Sequence, residues 1–257
     1  MLVVMPAGAT TASPPSKVVR TLWDPAIVES SGLARSAYST TRLWTHNDSG
    51  GGPYIYSIGR TGRTTARYEL VGASHLDWEA MAGAKRKGVN YLFIGDIGDN
   101  RAQRATIFVH RVREPRLGSH DHLLNPKTYE FRYPDGPHNA ETLMVRPSTL
   151  RIYIVTKAKT GSGEMYVAPK ALSTKHVNVL HKVAPAPAGL TDGVFLNRHR
   201  YILRGYNSAC LYRHLGAAPR RFPLPSKGES VTRGWRPGHI LIGSEGRDSK
   251  IWQVRLP

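Results

Sequence analysis

No segment of this chain sustains the 3.6-residue hydrophobic period of an amphipathic helix. Apolar positions come instead in short β-prone runs: LWTH at 43–46, YIYSI at 54–58, YLFIG at 91–95, IFVHRV at 107–112, RIYIV at 151–155, YILRG at 201–205, ILIGS at 240–244 and IWQV at 251–254. Clusters of Gly, Pro, Asn and Asp separate most of them, which predicts many short strands joined by turns.

The runs belong to a repeat. Five segments precede them: ESSGLA at 29–34, DWEAMA at 77–82, NAETLM at 139–144, LTDGVF at 190–195 and KGESVT at 227–232. Their third positions are Ser31, Glu79, Glu141, Asp192 and Glu229, spaced by 48, 62, 51 and 37 residues. That is close to the repeat of a four-stranded propeller blade. Each segment is followed by an apolar strand and a polar tip: HNDSGG at 46–51, GDIGDN at 95–100, TKAKTG at 156–161, RGYNS at 204–208 and GSEGRDS at 243–249. Third strands follow the tips, and TARYEL, TYEFRY, VNVLHKV and RRFPL are expected as outer fourth strands. The fifth unit stops after its third strand, and KVVRTLW at 17–23 is expected to supply the missing one. The predicted fold is all-β: one five-bladed β-propeller over residues 16–257, closed by an N-terminal strand so that no sheet edge stays open.

In such a ring the first strand of each blade lines the channel. The loops before it and after the second strand open on one face, so the aligned acids and the polar tips are expected at one mouth. Charge sharpens this picture, because the chain has only 18 Asp and Glu against 36 Lys and Arg, a net charge of +18. Glu29, Asp77, Glu79, Glu141, Asp192 and Glu229 fall at first-strand starts, and Asp48, Asp96, Asp99, Glu245 and Asp248 on the tips. Crowded carboxylates repel unless protonated or matched by a cation. An oxygen-ligand ion fits them, Ca2+ ahead of Mg2+ or Mn2+. Two ion-free readings stay open: a polar network joining blades, and GDIGDN as a turn in which Asp96 and Asp99 satisfy local amides.

Basic and neutral groups are expected at the same mouth. His46 and His138 are candidate general acid–base groups with Asp48 as a third catalytic candidate, while Asn47, Lys157, Arg204 and Tyr206 are candidate substrate contacts. Plain hydrogen-bonding roles for both histidines are the alternative. Such a mouth suits an anionic or carbonyl-bearing small molecule or a cell-wall polymer.

Other features exclude more than they assign. No CxxC, HExxH, Walker or dinucleotide motif is present, and no specific nucleic-acid motif accompanies the basic residues. No apolar run reaches the length of a membrane span. A lone Cys210 rules out an intramolecular disulfide. Residues 1–15 read as a signal-like or disordered N-terminus, which points to a secreted protein. A monomer is expected.

ESSGLARS, LWTHNDSGG, DWEAMA, GDIGDN, PDGPHNAETL, YIVTK and GSEG, in this order between about Val28 and Trp252, resemble secreted bacterial β-propellers of the WD-repeat-like and SdiA-regulated-like groups. More distantly the chain is similar to calcium-dependent gluconolactonases and propeller phytases. Those relatives imply an axial Ca2+ site, carried here by Glu29, Asp77, Glu79, Glu141, Asp192 and Glu229. They do not transfer an activity, since the lactonases have six blades and five are counted here. Two expectations follow: a metal-dependent hydrolase of an ester, lactone or phosphoester, or a non-catalytic propeller that binds a glycan, protein or polyanion around a structural cation.

Overall fold

The computed structural model describes residues 13–116 and 122–257. Most of the signal-like N-terminal stretch lies outside the described residues. Twenty-two strands, β1 to β22, form five sheets, and no helix occurs among the described residues.

The sheets are five blades. Blade one is β2 (Ser30–Arg35), β3 (Leu43–Asn47), β4 (Tyr54–Ile58) and β5 (Thr64–Leu70). Blade two is β6 (Trp78–Arg86), β7 (Val89–Asp96), β8 (Ile107–Arg113) and β10 (Lys127–Arg132). Blade three is β11 (Ala140–Val145), β12 (Ile152–Thr156), β13 (Ser162–Val167) and β15 (His181–Pro187). Blade four is β16 (Leu190–Phe195), β17 (Tyr201–Gly205), β18 (Ser208–Tyr212) and β19 (Arg220–Pro223). Blade five is β20 (Ser230–Arg233), β21 (His239–Gly243) and β22 (Lys250–Arg255), completed by β1 (Ser16–Thr21).

The N-terminal strand therefore closes the ring as the repeat predicts. Lys17 pairs with Gln253 and Thr21 with Lys250, antiparallel, and the Leu22 amide donates to the Ser249 carbonyl at 2.9 Å. One expectation needs correcting. VNVLHKV is not one outer strand: β14 (Asn178–Val179) pairs parallel with β10 of blade two, and only the chain from His181 joins blade three. Asn178 turns the chain there, its amide donating to the Glu130 and Ser173 carbonyls at 3.0 and 2.9 Å. A similar short strand, β9 (Leu123–Leu124), runs parallel to β5.

The core is divided among the five junctions between blades. Trp44, Tyr68, Trp78 and Ile94 fill the first, and Phe93, Phe131, Ile154 and Tyr166 the second. Tyr153, Met165, Phe195 and Tyr201 fill the third, and Ile202, Phe222, Ile240 and Val254 the fourth. Leu33, Leu43, Tyr56 and Ile251 seal the fifth. Each cluster buries apolar faces contributed by both neighbours, so a blade has no core of its own.

Deleting residues 1–21 removes β1 and exposes an edge of β22. The shortened chain should melt several degrees lower and self-associate on gel filtration. A monomer with the parental melting temperature would contradict this account of closure.

Candidate functional site

The inner strands share an irregularity that builds the mouth. Between inner and second strands the register slips by one residue at Ser30/Gly32, Trp78/Ala80, Ala140/Thr142 and Leu190/Asp192. The residues left unpaired are Ser31, Glu79, Glu141 and Thr191. In blade five Glu229 precedes the first paired residue, Ser230, and its amide donates to the Gly243 carbonyl at 3.2 Å. A bulge frees one residue from the ladder and re-aims its side chain.

Asp48, Asp77 and Glu79 converge, each offering a carboxylate oxygen within 4.8 Å of the others. Asp77 and Glu79 come from the start of β6 and Asp48 from the tip after β3. The backbone locks them together: the Trp78 amide donates to the Asp48 carbonyl at 3.2 Å, and the Gly98 amide to the Asp77 carbonyl at 3.1 Å. Gly98 closes over the group. A Cβ there would lie 2.3 Å from Asp77 Oδ2 and 2.7 Å from Glu79 Oε1, so only glycine fits. Asp48 Oδ1 is buried without a hydrogen-bond partner among the described residues.

The electrostatics confirm the crowding. Burial pushes the Glu79 carboxyl up to about 10, with further repulsion from Glu141, Asp48, Asp77 and Glu229. Burial, then contact with Asp77, raises Asp48 to about 7. Burial also raises Asp77. Glu245, expected at the mouth as a tip acid, is raised to about 8 by burial and its contact with Glu229. Glu29 is exposed but close enough to act on both Asp48 and Glu245. An oxygen-rich group with an unpartnered buried oxygen has the chemistry of a hard-cation site, and Asp48, Asp77 and Glu79 would hold the ion.

The opposite side of the mouth is different. Lys157 donates to Glu141 Oε1 and, at 2.9 Å, to the Tyr206 hydroxyl. Its ammonium lies 5.0 Å from the Tyr206 ring centroid, with Lys227 at 5.2 Å. Burial raises Glu141 to about 7 against the pull of Lys157.

Five expected site residues are placed elsewhere. Asp192 belongs to the ladder, one residue past the bulge, and so is out of phase with Glu79 and Glu141. Its oxygens accept the Gly193 and Val231 amides, both at 2.7 Å, which ties blade four to blade five. Arg204, its cross-strand partner, is fully buried and donates to the Ser230, Gly243 and Ser226 carbonyls, so it is a clamp and contacts no substrate. His46 holds the matching place in blade one. It is fully buried, its Nδ1 donates to the Asn47 carbonyl at 2.8 Å, and burial lowers it to about 4. A neutral imidazole sealed against Trp78 is no general base. Asn47 is spent on the backbone, accepting from Val28 and Glu29 and donating to Ala26. His138 contacts Asp135 at 3.0 Å and the Tyr166 hydroxyl at 3.2 Å, between the outer parts of blades two and three. GDIGDN is the turn its alternative reading described: Asp96 accepts the Asp77 amide at 3.1 Å and Arg104 at 2.9 Å, and Asp99 accepts the Arg104 amide.

No protein-family model and no curated protein matches the chain. Among solved structures it is similar to a gluconolactonase from Xanthomonas campestris, 16% identical over 99% of each chain with a TM-score of 0.49. Function has to be read from the side chains of this chain.

Two outcomes test these placements. Asp192→Asn turns one acceptor of a backbone amide into a donor, so it should cost about 1–3 kcal/mol by urea unfolding. It should leave any stabilisation by Ca2+ unchanged, and loss of that response would return Asp192 to the cation site. The second outcome concerns pH. Asp48, Glu141 and Glu245 hold protons more tightly folded than unfolded. Their contribution is complete below the ordinary carboxylate value of about 4 and is lost as pH rises through about 7 to 8. A cation replaces those protons, so Ca2+ should raise the melting temperature little at pH 5 and by several degrees at pH 8. Equal shifts at both pH values would contradict it.

Proposed function

We propose that this mouth is the active site of a cation-dependent hydrolase acting on an ester, lactone or phosphoester. The observation that carries the reading is the asymmetry of the mouth: blades one and two supply a carboxylate group with an unpartnered buried oxygen, and blades three and four supply a Lys157–Tyr206 pair. When bound, a divalent cation, Ca2+ by preference, supplies Lewis-acid polarisation of a substrate oxygen.

The chain's own residues divide the remaining work. Asp48, Asp77 and Glu79 hold the ion, and Gly98 keeps them packed. The Lys157 ammonium and the Tyr206 hydroxyl orient the anionic or carbonyl end of the substrate. They also hydrogen-bond the oxygen that gains charge as water adds. Glu141, lifted to about 7, suits a general base near neutral pH. It takes the proton from the attacking water and returns it to the leaving oxygen as the ester bond breaks. Its contact with Lys157 fixes its position. The replacement of His46 and His138 by Glu141 in this role follows from where the three side chains lie.

Thermal melts and a screen of small lactones, aryl esters and phosphoesters test the proposal together. A chelator should lower the melting temperature and abolish turnover, and added Ca2+ should restore both. Saturation at ~100 times the dissociation constant corresponds to ~2.7 kcal/mol of stabilisation. Glu79→Gln should weaken the thermal response and reduce turnover at least tenfold. Lys157→Met should leave the thermal response and raise KM. A Ca2+-sensitive melt without turnover on any of the three classes would leave a binding module with a structural ion. A melt indifferent to chelator and Ca2+ would remove the cation.

A further inference from the structure

We propose that the far end of the channel binds a doubly charged phosphate group, carried by inorganic phosphate or a phosphomonoester. The site is independent of the acidic mouth and lies at the other ends of the same inner strands.

The inner strands all run from the acidic mouth toward this end. β2 finishes on Arg35 and β20 on Arg233, and these strands belong to neighbouring blades one and five. Both arginines line a recess of about 20 Å3 together with Met81, Gly83, Val145 and Phe195. Both arginines also line a cleft of about 480 Å3 with Arg200, Trp235, Arg236 and His239. No Asp or Glu lines either cavity.

Neither guanidinium forms an ion pair among the described residues. Arg35 Nη1 donates to the Gly234 carbonyl at 2.7 Å, which fixes its direction. Arg233 is half-buried and makes no side-chain hydrogen bond among the described residues. Burial, then repulsion from Arg35, lowers Arg233 below its ordinary value, and no carboxylate acts on it. Glu114 shares a smaller neighbouring recess with both arginines. Its oxygens are already taken by Ser36 Oγ at 2.5 Å, the Ala37 amide at 3.1 Å and Trp44 Nε1 at 2.9 Å.

Two guanidiniums that line one cleft without an ion pair suit a dianion. Arginine presents paired planar donors that match the oxygens of phosphate, whereas a carboxylate or chloride cancels only one of the two charges. The larger cleft leaves room beyond the phosphate for a small organic group against Trp235. Its volume is that of a small-molecule pocket.

The test is a set of thermal melts at constant ionic strength, in chelator, with millimolar inorganic phosphate, glycerol phosphate or chloride. Phosphate should raise the melting temperature by several degrees over chloride. A larger shift with glycerol phosphate would assign the cleft to a phosphomonoester, and an equal or smaller one to the free ion. Arg233→Met should abolish the phosphate shift and, by removing the repulsion, melt no lower than the parent in chloride. Arg247→Met, at an exposed arginine on the tip of blade five, should keep the shift. If Arg233→Met does not fold, Arg35→Lys should weaken the response at least fivefold, read also as loss of 31P line broadening of inorganic phosphate. No shift in the parent overturns the proposal. So does an equal shift in parent and both variants, which would mark general attraction to a basic surface.

Discussion

Closure of the ring is the constraint from which the rest of this protein follows. Each blade is a small twisted sheet whose apolar faces are covered only by its neighbours, through clusters such as Trp44 with Trp78 and Phe131 with Tyr166. A ring with one gap would leave two such faces in water. The gap is closed by β1 on β22, residues at opposite ends of the sequence, and by the packing of Leu33 and Tyr56 against Ile251. Cooperativity is built into that arrangement, because no blade can release its core without opening its neighbours.

Closure also sets the polarity of the channel. Five inner strands running the same way put their starts at one mouth and their ends at the other, separated by about 20 Å for a six-residue strand. In this chain blades two, three and five carry acids at the starts, and β2, β6 and β20 end on arginine. A protein of net charge +18 thus holds a concentrated negative field at one end of its axis, where carboxyls are lifted toward and beyond neutrality. Without the ring, Asp48 and Glu229 would have no reason to repel each other, since they lie 181 residues apart.

Most of the architecture is legible in the residues because the repeat is written at the level of strand starts and turn tips. The blade count, the closing strand and the meeting of Asp48, Asp77, Glu79, Glu141 and Glu229 all follow from it. What stays hidden is the local register. In blade four the aligned acid, Asp192, lies one place beyond Thr191, which occupies the bulge. A single-residue slip moves a side chain from the channel into the ladder, and no composition or spacing reports it. The tips conceal a similar ambiguity. His46 and Arg204 read as mouth residues, yet both are opposite the residue after the bulge and turn into the junction between blades. Glu245 is legible as a tip acid, since its tip opens on the same mouth as Glu229.

The displaced residues explain how the ring tolerates its own charge. Blade four contributes no carboxylate to the mouth, because Asp192 spends both oxygens on amides and Arg204 spends its donors on three carbonyls of the blade-five side. Both side chains there are bonded to backbone groups at the junction, so removing either would leave buried amides or carbonyls without partners. The absence of a fourth inner acid in turn leaves space for Lys157 and Tyr206 to lean toward Glu141 from blades three and four. Only an acid at all five inner-strand positions would close the channel into a symmetric carboxylate ring. Three acids, a bulged threonine and Lys157 make two unlike halves, one rich in carboxylates and one that carries an ammonium and a hydroxyl. The asymmetry comes from the two bulge positions that carry no acid, Ser31 in blade one and Thr191 in blade four.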